Sequence, residues 1–125
     1  MNSVSPNGRM NGDAAVHEVE RRFHRAMIGI YETAKRELGY NATRFLQMVS
    51  EHGGLVTARQ LLWSDAPSDG FTTLWEHRRL DLTVEDHVLR AEFASLFSDA
   101  DREQALMLLK EYGWRPRAGT EYEIG

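Results

Sequence analysis

The sequence predicts an all-α fold: a compact bundle of about six helices, one long at the N-terminus and the rest short and capped. Three observations point there. Apolar residues recur at helical spacing in the longest patterned stretch. Capping residues punctuate the chain at short intervals. No segment alternates apolar and polar residues over enough positions to suggest a strand, and no internal repeat is visible.

The helices can be placed in order. Residues 1–13 hold Pro6, three asparagines and two glycines and read as a flexible tail. Asp13 is positioned as an N-cap. From Ala14 onward Val16, Val19, Phe23, Met27, Ile30, Ala34 and Leu38 follow 3,4 spacing. Lys35 and Arg36 oppose the negative end of the dipole, and Gly39 supplies the left-handed terminating position. This first helix is long for the chain, so its Val16–Phe23 edge is expected to outrun the core. Gly29 weakens its interior unless another backbone packs close there.

GYNATRFLQMVSEHGG (39–54) reads as a punctuated helix. Asn41 is expected to cap a helix over about 42–52, with Tyr40 and Phe45 at the hydrophobic staple positions. Gly53-Gly54 turns the chain into a helix over about 56–63, with Ala58, Leu61 and Leu62 inward. Ser68 or Asp69 caps a fourth helix carrying Phe71, Leu74 and Trp75. Thr83 caps a fifth, with Asp86 at the third helical position as an acidic capping-box partner. Phe93, Leu96 and Phe97 form a short apolar segment. Ser98 caps the last helix, with Asp99 and Asp101 in its first turn. Gly113 and Trp114 close it as a Schellman motif over Leu109. The expected organisation is one helical domain over 14–114, with a second flexible tail over 115–125.

The order GYNATRFLQMV, HGG with ARQLL, SDGFTTLW, LDLTVEDHVL and F-x-x-LF resembles a small helical module recurrent in uncharacterised bacterial proteins, a domain of unknown function. The likeness covers roughly Tyr31 to Tyr112. It implies a bacterial, cytosolic, α-helical chain and carries over no catalytic residue.

Composition narrows the function. The 125 residues suffice for one domain with a real core. Cysteine is absent, which excludes disulfides, thiolate metal sites and cysteine nucleophiles. That fits a cytoplasmic location. No apolar run approaches the roughly 18 residues a membrane span needs, and the N-terminus lacks the apolar core of a signal peptide.

Chemistry finds little support. His17, Glu20 and His24 share a helix face, but beside an arginine cluster that disfavours a cation, so no metal is expected. Glu76-His77 and Glu85-Asp86-His87 each set a carboxylate beside an imidazole. Neighbouring helix positions diverge by about 100°, so an acid–base site would need Glu76, His77, Glu85 or His87 to meet across helices. No phosphate loop is present and no cofactor is expected.

Two binding readings remain. The helix–Gly-Gly–helix outline resembles a helix-turn-helix, with Thr57, Arg59 and Gln60 as DNA-contacting candidates. Net charge −4 and a single cation on that helix disfavour nucleic acid. The leading expectation is a non-enzymatic protein-interaction or adaptor domain that binds a protein partner or forms a homo-oligomer. Its interface would be Val16, Val19 and Phe23 with the basic Arg21, Arg22 and Arg25. The acid-rich stretch from Asp81 to Glu103 is complementary in sign to that patch.

Overall fold

The computed structural model describes residues 4–124, with side-chain detail from residue 14 onward. Six α-helices follow one another: α1 (Val4–Leu38), α2 (Thr43–His52), α3 (Gly54–Leu62), α4 (Asp69–Glu76), α5 (Val84–Val88) and α6 (Asp99–Glu111). Short 3₁₀ turns occupy Leu80–Leu82 and Ala91–Leu96. Among the described residues no strand forms, and the all-α bundle with a long first helix is observed.

α1 begins at Val4 rather than Ala14, so Asp13 lies within the helix and does not cap it. Its 35 residues span about 52 Å at 1.5 Å per residue. Residues 4–13, read from sequence as tail, continue the helix, while residues 1–3 lie outside the described part. The buried stripe of α1 is Phe23, Met27, Ile30 and Ala34. Phe23 packs edge-on against Phe93 and Phe97, with ring centroids 5.1 and 5.2 Å apart. α1 lies against α2, α3 and the Ala91–Leu96 turn, and α5 packs against α6 and α3.

Most expected helix ends are present. The side chains of Ser68, Thr83 and Ser98 each accept a first-turn backbone N–H. Ser98 and Asp101 form a reciprocal capping box. Gly39 and Gly113 take φ of +67° and +83°, and the Trp114 N–H reaches the Leu109 carbonyl at 3.0 Å, completing the Schellman motif.

Two local expectations are corrected. Asn41 does not cap α2, whose N-cap position is Ala42 with no side-chain bond. The Asn41 carboxamide oxygen accepts instead from the Tyr31 hydroxyl at 2.6 Å. Thr83 caps α5, but Asp86 does not return the bond, because other partners hold its carboxylate.

Gly29 has no close neighbour that a β-carbon would meet. The tight approach of α1 falls at Gly54 instead. A β-carbon there would lie 2.8 Å from the Cα of His24. The His24 Nδ1 accepts the Gly54 N–H at 3.0 Å, which satisfies a free donor at the start of α3.

Candidate functional site

The expected interface splits into unlike parts. Phe23 is 0% exposed and belongs to the core, which corrects its place on a docking strip. Val19 is half-buried against that core. Val16 is 53% exposed, and Ala14, Ala15 and His17 beside it are exposed as well. Arg21 and Arg25 approach Glu18 at 2.7 and 3.8 Å, so the basic cluster is partly balanced from within. Much of the acidic stretch is engaged locally. Asp81 is held by Arg79 and Arg117, Asp86 by Arg90, and Asp99 by Arg102.

The residues proposed to read DNA are committed elsewhere. Thr57 is fully buried, and its hydroxyl has no hydrogen-bond partner. The Arg59 guanidinium donates to the Leu96 carbonyl at 2.7 Å and lies 5.9 Å from the centre of the Phe97 ring. Only Gln60 of the three is exposed without such a commitment. A groove-reading helix must present its reading side chains outward, so the assignment of Thr57 is corrected, while Arg59 stays exposed but is tied to the Leu96 carbonyl.

The four acid–base candidates do not converge. Glu76 and His77 are exposed at the end of α4, where a His77 ring nitrogen meets the Thr73 carbonyl. Glu85 and His87 are buried in α5. His87 Nδ1 lies 2.7 Å from the Thr83 carbonyl, so that nitrogen carries the proton and donates. Burial, with the Arg90 charge, pushes the His87 imidazole down to about 3. Of His17, Glu20 and His24, which share a face of α1, His24 already serves Gly54. No group of three or more metal-ligating side chains converges among the described residues.

Asp86 is the hub that sequence reading missed. Its Oδ1 accepts from Arg90 at 2.9 Å, and its Oδ2 accepts from Trp114 Nε1 at 2.8 Å and from the Tyr122 hydroxyl at 2.9 Å. Burial pushes its carboxyl up, opposed by these donors. Through Trp114 and Tyr122 the segment after α6 folds back onto α5. An isolated bridge pairs Arg90 with Tyr122, where the Ala91 N–H meets Glu121 and the Glu123 N–H meets Leu89. Residues 115–124, read as a tail, therefore dock. The one available signal was that a buried tryptophan or tyrosine needs a polar partner.

A cavity of about 510 Å³ opens between the second half of α1, the 40–45 segment, the α3–α4 loop and the start of α5. Phe45, Met48, Phe71 and Leu74 give it apolar walls. Tyr40, Arg44, Ser68 and Asp69 add polar groups. Glu85 also lines it, although only 4% exposed. Among the described residues no side chain bonds to the Glu85 carboxyl. Burial pushes that carboxyl up to about 7, against a smaller pull from its own backbone N–H. None of Glu76, His77 and His87 lines this cavity.

A second cleft, of about 670 Å³, lies between the end of α4 and residues 112–117. Arg78, Arg79, Arg115 and Arg117 line it with Asp81 and Trp75. Arg79 and Arg117 already serve Asp81.

Among the described residues no helix is long and apolar enough to cross a membrane. Comparison with protein-family models, with curated proteins and with solved structures returned no match.

Proposed function

We propose that the chain is a non-catalytic interaction module that assembles with a second copy of itself through the N-terminal half of α1. The supporting observation is the reach of that helix beyond the body. Core burial on α1 starts at Phe23, yet the helix extends back to Val4. A helix draws most of its stability from tertiary packing on an apolar face. The stretch around Val16 has no such cover among the described residues.

The charge order favours a copy of the same chain. Glu18 and Glu20 precede Arg21, Arg22 and Arg25. Antiparallel pairing centred near Arg21 sets Glu20 of one helix level with Arg22 of the other. Such a strip is self-complementary, as a two-fold interface requires.

Sedimentation of the full chain over a concentration series tests this. The parent sediments as a dimer, and Val16→Glu sediments as a monomer that still melts cooperatively as a folded domain. Val16 is the informative position because it is exposed, whereas Phe23→Glu would unfold the core. A parent that stays monomeric at its highest attainable concentration overturns the reading.

A further inference from the structure

The geometry points to the Glu85 cavity as a binding site for a small organic cation. The ligand would be an amine whose ammonium meets the Glu85 carboxylate and whose apolar body lies against Phe45, Met48 and Phe71. The site is independent of the α1 interface.

Three observations carry this. The volume, about 510 Å³, falls within the range of small-molecule pockets. The walls are mainly apolar, with a few polar groups placed to fix orientation. The decisive feature is Glu85, which is more than nine-tenths buried, lines the cavity and has no side-chain partner. A buried carboxyl served only by its own backbone N–H is under-satisfied, and a ligand that supplies a further donor recovers part of the cost of burial.

Charge selects the ligand class. Glu85 and Asp69 are the acids lining the cavity and Arg44 its one arginine, so a cation is favoured over an anion. The remaining titratable group on the lining is the Tyr40 phenol. On α5 itself, Asp86 is engaged by Arg90, Trp114 and Tyr122, and His87 by Thr83. Glu85 is thus the acid of α5 still open to a ligand. Below neutral pH it holds a proton, and an entering ammonium displaces that proton to form an ion pair.

Benzylamine is a suitable probe and benzyl alcohol its neutral counterpart, each titrated into the full ¹⁵N-labelled chain. Benzylamine is expected to shift the amides of residues 40–45, 68–74 and 85, with benzyl alcohol binding more weakly. Glu85→Gln keeps the shape and removes the charge, so benzylamine affinity should fall by about tenfold or more. A second readout needs no variant. The parent's affinity for benzylamine should rise by about tenfold per pH unit on the acid side and level off above about 7. Equal binding of amine and alcohol, or a benzylamine affinity that ignores pH, overturns the proposal. So does the absence of any shift at the cavity amides.

Discussion

Gly29 and Gly54 lie within helices under opposite constraints. Nothing occupies the space a Gly29 methyl would enter, and its φ is not of the left-handed kind. Gly29→Ala should therefore stabilise the fold by about 1 kcal/mol, the helix-propensity difference. At Gly54 the same change drives a β-carbon against the His24 backbone. It should cost about 1–3 kcal/mol, the usual range for overpacking. Urea denaturation of the two variants checks both signs. Sequence pattern located both glycines, but only the packing of α3 on α1 shows which one holds helices together. The same holds at Thr57, where a polar residue on a short helix read as exposed, yet faces the interior.

At the scale of elements, what could be read was local. Ser68, Thr83 and Ser98 cap because their partners lie within one turn. Gly39, Gly53 and Gly113 end helices because the left-handed turn needs no distant support. Asn41 failed as a cap because its oxygen accepts from the Tyr31 hydroxyl, ten residues back on α1. The docking of residues 115–124 was illegible for a similar reason: Asp86 lies 28 residues from Trp114 and 36 from Tyr122. The cavity was equally hidden, since its walls come from residues spread from α1 to α5. The docked segment makes its own prediction. Tyr122→Phe removes a bond to a buried charged group and should cost about 1.5–3 kcal/mol. Amides of Ala91 and Glu123 should then exchange faster with solvent, and unchanged exchange would show that the bridge stands without the hydroxyl.

Across the whole molecule, two buried groups on α5 set opposing pH responses. Glu85 has its folded value raised to about 7 from 4.5, so the folded state binds the extra proton and stability falls as pH rises through that window. His87 has its folded value lowered to about 3 from 6.5, so the unfolded state binds the extra proton and stability falls as pH drops below about 6.5. Between about 4.5 and 6.5 the two contributions largely cancel. Glu85→Gln removes one side of that balance. The variant's stability relative to the parent should climb by about 1.4 kcal/mol per pH unit from about 4.5 to 7. Urea melts at a series of pH values read this directly, and a constant difference would mean that Glu85 does not titrate in that window. The hub at Asp86 also constrains the order in which the molecule can be assembled. Its three donors belong to residues 90, 114 and 122, and the last two are translated well after α5 itself. Until they leave the ribosome, the site has only Arg90 to satisfy a carboxylate that the finished fold encloses. The full set of Asp86 hydrogen bonds can therefore form only once residue 122 has emerged.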